Sequence, residues 1–130
     1  YGHAAGDTVL IRVVRYVLMN LRPYDQLYRY GGEEFLLVAP GTDLASGLAA
    51  VERLREGLAQ SDIECADGIE IRVTVSIGVT VLDPNAPVEV SIDRADRALY
   101  AAKAAGRNRS CVWEHDQQTT ASARPLGNDE

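Results

Sequence analysis

The segment Arg29-Tyr30-Gly31-Gly32-Glu33-Glu34-Phe35 concentrates residue types able to do chemistry. A glycine pair at a hairpin tip has a plain structural use, because a two-residue turn of the primed type needs a positive φ that only small residues supply cheaply. That use leaves the two adjacent carboxylates unexplained. Side chains alternate across a strand, and the Phe35-Leu36-Leu37-Val38 continuation is wholly apolar, so one of Glu33 and Glu34 has to point to the buried side or across the sheet edge. A carboxylate there is costly unless a cation or a metal ion meets it. Glycines beside it would let a phosphate or a base approach the backbone with no Cβ in the way.

Two more clusters invite the same question. Lys103 and Arg107 lie on either side of Gly106 at the end of a patterned helix and can reach one side. They either complement the helix dipole or form a phosphate clamp, with lysine as a point charge and arginine as a fork. Asp7, closing Gly2-His3-Ala4-Ala5-Gly6-Asp7, is either an N-cap or first-turn acid, or a bidentate acceptor for the adjacent N–H donors of a guanine edge. His3 has no evident partner and is read as structural.

The apolar periodicity supplies the elements that must position these residues. Val9, Leu10, Val13, Val14, Val17, Leu18 and Leu21 recur at helical steps over 7–21, and Arg22-Pro23 ends that helix. Gln26 to Tyr30 and Glu34 to Val38 read as hairpin strands. A second helix is expected over 42–60, capped by Thr42 or Asp43, with Glu52, Arg53, Arg55 and Glu56 outside its apolar stripe. The odd positions from Ile69 to Val81 are all β-branched and apolar, and most even ones are polar, which predicts one long strand; Gly78 within it suggests a bulge or a close backbone approach. A third helix over 91–105, stopped by Gly106, and a strand over 109–113 complete an α/β layered order. Residues 116–130 read as a polar tail expected to be disordered.

Composition narrows the function classes. The chain has 130 residues, 46% of them hydrophobic, with 13 Lys and Arg against 19 Asp and Glu and a net charge of −6. That suffices for one domain with a core and argues against a duplex-binding module held by phosphate contacts, so no DNA or RNA partner is expected. No apolar run is long enough to span a membrane. Cys65 and Cys111 are too few for a disulfide framework and read as free thiols in a reducing compartment. The chain opens on Tyr1 with no initiator Met and no signal-like stretch, so a piece cut from a longer protein is expected.

Four segments together resemble the GGDEF domain of bacterial diguanylate cyclases: Gly2 to Asp7, Arg29 to Phe35 in the GGEEF form, Val73-Thr74-Val75-Ser76-Ile77-Gly78-Val79, and Ala95 to Asn108. The resemblance covers residues 1–113 and implies a nucleotide-cyclase or palm-like layered domain over 1–115, a mixed central β-sheet flanked by helices with a hairpin bearing the signature. It implies that Glu33 ligates Mg²⁺ or Mn²⁺, with Glu34 and Arg29 supporting the hairpin in the catalytic set. Gly31 and Gly32 would lie against GTP, Asp7 would read guanine, and Lys103 and Arg107 would hold the β- and γ-phosphates. The implied reaction joins two GTP into cyclic di-GMP with release of pyrophosphate, and needs a homodimer because each domain holds one GTP. Arg22-Pro23-Tyr24-Asp25 resembles the family's RxxD inhibitory site for cyclic di-GMP, with Arg53 as its accessory arginine. A cytoplasmic location, in a protein with sensory domains that is in some cases membrane-bound, is also implied.

Ahead of the Gly2-His3 segment the family carries a strand with an aspartate pair for the metal, then a Phe-Lys and an Asn-Asp, and none of these lies in the 130 residues. The expectation is therefore a fragment whose sheet is split, with unpaired edges. These residues alone are expected to lack cyclase activity, since Glu33 by itself would hold the metal too weakly. The alternative reading is a catalytically idle GGDEF domain that senses cyclic di-GMP through Arg22 and Asp25. A nucleotide-polymerising palm domain of another kind is disfavoured by Asp7 and the Lys103/Arg107 pair.

Overall fold

The computed structural model describes residues 2–66, 68–114 and 123–125. The elements run α1 (Gly2–Met19), β1 (Gln26–Arg29), β2 (Phe35–Val38), α2 (Leu44–Ala59), β3 (Ile63–Ala66), β4 (Ile69–Ile71), β5 (Ile77–Val79), α3 (Val88–Ala104), β6 (Ser110–Trp113) and β7 (Ala123–Pro125). They group into two units, Tyr1–Thr42 with Gln60–Val73, and Asp43–Ala59 with Thr74–Glu130.

In the first unit, α1 begins at Gly2, five residues before the expected start, because the alanines ahead of Asp7 are good helix formers. Asp7 is thus inside the helix and is not its N-cap. The helix ends at Met19, two residues short of the expected Leu21. Its last turn tightens through Asn20 N–H to the Val17 carbonyl at 3.0 Å and Leu21 N–H to the Leu18 carbonyl at 3.3 Å. Strands β1 and β2 pair antiparallel from Gln26↔Val38 to Arg29↔Phe35. A hairpin of β3 and β4 follows, with a bulge between Glu64 and Ala66, and α1 packs on β3. Strand β3 was not expected from the sequence, although Ile63 and Cys65 are buried and Glu64 is exposed, the alternation of a half-buried strand.

The expected long strand over 69–81 is instead two short ones, β4 and β5, with 72–76 outside any ladder. The alternation itself persists, since Val73 and Val75 are half-buried while Arg72 and Thr74 are exposed. A period of two specifies an extended, half-buried segment, but a ladder also needs a neighbour, and none of the described residues pairs with 72–76. The α/β class holds, with three helices. In place of one central sheet, the described strands form two two-stranded sheets and one three-stranded mixed sheet.

The second unit contains that mixed sheet. Strands β5 and β6 are parallel, joined by α3 as the crossover, and β7 adds antiparallel to β6. Strand β7 lies in the stretch expected to be a tail without structure; β6 offers an open row of backbone groups that a later segment can satisfy without any apolar pattern of its own. The rest of that stretch lies outside the described residues. Helix α2 starts at Leu44, with Asp43 as the cap: its carboxylate accepts the Ser46 N–H at 2.8 Å, which lowers its pKa. Helix α3 starts at Val88, three residues earlier than expected, directly after Pro87.

Ala98, Ala102 and Cys111 form a fully buried cluster in this unit, with Ala101 and Trp113 packed against it. Burial pushes the Cys111 thiol up in pKa. Gly78 is a close approach rather than a bulge. A Cβ there would stand 2.1 Å from the Ala95 carbonyl oxygen and 2.3 Å from the Leu99 nitrogen, so strand and helix backbones touch.

Overpacking of this backbone contact by Gly78→Ala should destabilise the protein by about 3 kcal/mol, near the upper end for one inserted methyl. Thermal unfolding checks this, and an unchanged midpoint would contradict the close approach.

Candidate functional site

The signature hairpin carries a five-residue loop, Tyr30 to Glu34, where a two-residue turn was expected. The Glu34 carbonyl closes it by accepting the Tyr30 N–H at 2.8 Å and the Gly31 N–H at 3.2 Å. Neither Gly31 nor Gly32 has a positive φ. A Cβ on Gly32 would meet nothing within 4 Å, and one on Gly31 only the Glu34 Cβ at 3.8 Å. The loop therefore does not need its glycines for conformation or for space within the chain. Their lack of side chains matters only to something that arrives from outside.

Arg29, the last residue of β1, folds over this loop. Its Nη2 donates to the Gly32 carbonyl at 2.6 Å and its Nε to the Gly31 carbonyl at 3.3 Å, so one guanidinium fixes both glycine peptides. Gly31, Gly32 and Glu33 are exposed, and Glu34 is half-buried as the strand begins. Arg29 and Phe35 also line a cleft with Leu10, Ile11, Val14 and Arg15 of α1. Asp7 is exposed one helical turn before Leu10 and Ile11, hence on the side of α1 that borders this cleft. Thus α1 and the hairpin converge on one opening.

Arg22 and Asp25 are joined tightly. Arg22 Nη2 and Nε donate to the Asp25 carboxylate at 2.7 and 3.1 Å, and the Arg22 backbone N–H donates to it at 2.8 Å. Nη2 also reaches the Pro40 carbonyl at 3.1 Å and the Thr42 hydroxyl, and the guanidinium lies 4.6 Å from the centre of the Tyr24 ring. The Asp25 side chain is only 7% exposed. The Arg22 hydrogen bonds hold its carboxyl below the usual range against the opposing effect of burial, and Asp25 in turn raises Arg22. The contributions of Thr42, Pro40 and Tyr24 were not foreseen; only the Arg-x-x-Asp spacing was visible in the sequence.

The remaining candidates belong to the second unit. Arg53 is exposed on α2. Lys103 stands in the last turn of α3, and the helix ends in a Schellman motif: Arg107 N–H donates to the Ala102 carbonyl at 3.0 Å and Gly106 N–H to the Lys103 carbonyl at 3.3 Å. Gly106 has φ +123°, as the motif requires. Arg107 is therefore not on the helix as an i+4 neighbour of Lys103; it sits beyond the helix with φ 62°. Arg55, placed by its pattern on the solvent side of α2, is instead bonded to Asn108 in the turn that follows Arg107. Among the described residues, no group of three His, Cys, Asp or Glu could hold a metal ion, and no helix is long and apolar enough to cross a membrane.

Residues 1–109 match the family model described as diguanylate cyclase, GGDEF domain. The chain is 43% identical over 110 residues to Diguanylate cyclase A of Treponema denticola, a match covering 84% of this chain and 29% of that protein. It therefore spans under a third of the length of that curated relative. The structure resembles diguanylate cyclase SiaD from Pseudomonas aeruginosa, solved in complex with its activator SiaC, with a TM-score of 0.81 at 36% identity over 86% of this chain and 43% of that one. It also resembles the GGDEF domain of DgcB from Caulobacter crescentus, solved in complex with c-di-GMP, with a TM-score of 0.80 at 30% identity over 86% of this chain and 67% of that one.

Because neither loop glycine is needed by the fold, Gly32→Ala should leave stability within about 0.5 kcal/mol of the parent, as for an ordinary surface change. A clear fall in the thermal midpoint would show that the glycine is structural.

Proposed function

Since the chain belongs to the GGDEF family of diguanylate cyclases, we propose that the protein at its full natural length condenses two GTP molecules into cyclic di-GMP and is inhibited by that product through Arg22 and Asp25. The observation that carries this reading is the hairpin loop. It exposes two glycines that the chain has no use for itself, directly followed by two carboxylates.

The donor set there fits Mg²⁺ or Mn²⁺. These hard cations take oxygen ligands, and Mg²⁺ in particular accepts one or two protein carboxylates and completes its shell with substrate phosphates and water. Glu33, exposed at the loop tip, would supply one of the ion's ligands. When bound, the ion neutralises charge on the triphosphate and favours the alkoxide form of the attacking hydroxyl. In each step the 3′-oxygen of one GTP bonds to the α-phosphorus of the other, the bond to the β-phosphate bridging oxygen breaks, and pyrophosphate leaves. The proton of the 3′-hydroxyl passes to solvent water, and two such steps close the ring.

The chain's own residues bind and orient. Gly31 and Gly32 let the nucleotide lie against backbone that Arg29 holds rigid. Asp7 accepts from a guanine edge beside the α1 cleft. Lys103 and Arg107 bind the β- and γ-phosphates, the first as a point charge and the second as a fork. Each domain, assigned to residues 1–115, carries one GTP, so turnover requires two protomers. At the control site, product binding must exchange the internal hydrogen bonds of Arg22 for contacts with guanine or phosphate, with Asp25 accepting from guanine and Arg53 as an accessory cation.

In the protein at its full natural length, Glu33→Ala should abolish GTP turnover while leaving cyclic di-GMP binding intact, as read by pyrophosphate release and by calorimetry with the product. Retained turnover would overturn the metal assignment. Arg22→Ala should relieve product inhibition in the same assay, and inhibition unchanged from the parent would remove the control site.

A further inference from the structure

The turn after α3 is unusual in its backbone. Gly106, Arg107 and Asn108 have φ of 123°, 62° and 47°, so two consecutive residues with side chains sit in the left-handed region. Such conformations persist only where the surroundings over-determine them. The ends of the turn are fixed without further help: the Schellman bonds cap α3, and Ile77 N–H donates to the Arg109 carbonyl at 3.0 Å as β6 begins. Arg109 Nε donates to the Arg107 carbonyl at 3.1 Å, and Asn108 N–H donates to the Ser76 hydroxyl at 3.2 Å.

The grip from farther along the chain comes from Arg55. Its Nη1 donates to the Asn108 carbonyl at 3.1 Å and to Asn108 Oδ1 at 2.9 Å. The other edge of the same guanidinium is bound by Glu52, through Nε at 2.9 Å and Nη2 at 2.7 Å, with Glu56 at 3.6 Å. The Arg55 side chain is only 13% exposed. The Arg55 hydrogen bonds hold the Glu52 carboxyl below its usual range against the opposing effect of burial, and Glu52 in turn raises Arg55. Arg55 is therefore an oriented fork whose two edges serve different partners, which a lysine cannot reproduce. Arg107 itself is exposed, and its side chain makes no hydrogen bond or ion pair among the described residues.

We propose that Arg55 is a positioning residue of the substrate site: by anchoring Asn108 it locks the left-handed turn from which Arg107 binds the triphosphate. The proposal rests on the reading of Arg107 as a phosphate ligand, and the test separates the two. GTP turnover is measured on the protein at its full natural length, as the parent and with Arg55→Met, Arg107→Ala and both substitutions together. Arg55→Met should raise KM for GTP about tenfold, a typical coupling between neighbouring groups. It should leave kcat within about twofold, since the loss is in ground-state binding. In the Arg107→Ala background the same substitution should add nothing to KM, because the group being positioned is gone.

An equal rise in KM in both backgrounds, or a fall in kcat with KM unchanged, would overturn the positioning role while leaving Arg107 as a ligand. If Arg107→Ala alone leaves KM unchanged, the phosphate reading fails first and takes this proposal with it. Should Arg55→Met not fold, Arg55→Lys runs the same cycle with the charge kept and the fork lost.

Discussion

The contact of β5 with α3 at Gly78 involves no side chain on the strand side. Gly78 of β5 lies so close to α3 that a single methyl would collide with the Ala95 carbonyl and the Leu99 nitrogen. Helix α3 answers with small residues, Ala95, Ala98 and Ala102, the last two fully buried. Contact at backbone distance leaves α3 little room to slide or roll on the sheet, since close-packed interiors respond to a displacement of even one methylene. That fixes where the helix ends, where Gly106 turns the chain, and where Lys103 and Arg107 are presented. Arg55 acts only after this placement is made.

In the first unit the corresponding constraint is polar. Arg29 binds the carbonyls of both loop glycines, and its neighbourhood on β1 and β2 opens on the cleft shared with α1. A loop with no side chains at its tip would ordinarily be mobile; a guanidinium fork makes it a fixed backbone surface. A net charge of −6 at first argues against binding so anionic a substrate as a nucleoside triphosphate. The proposed site resolves this locally, with a few cations at defined positions and a divalent ion between carboxylate and phosphate.

Spacing made the hairpin, the α3 cap at Gly106 and the Gly78 contact legible, because each depends on a residue type that few others can replace. The limits of legibility have physical causes. The glycine pair pointed to a primed turn, yet the loop is five residues long, since composition does not fix register at a hairpin tip. Helix α1 extends to Gly2 because helix propensity ahead of Asp7 outweighed a plausible cap. Residues 72–76 keep the strand alternation without a ladder, because a period of two reports burial and not pairing. The helical wheel places Arg55 toward solvent, and the partner that turns it inward is 53 residues away. Such a contact leaves only a faint local trace, the Glu52–Arg55 spacing.

The most direct measurement of the central claim is incubation of the protein at its full natural length with GTP and Mg²⁺, with nucleotide products separated and quantified. The account predicts cyclic di-GMP and two pyrophosphates for each molecule of it. Cyclic di-GMP that binds without any turnover of GTP would contradict the account and identify a receptor in place of an enzyme.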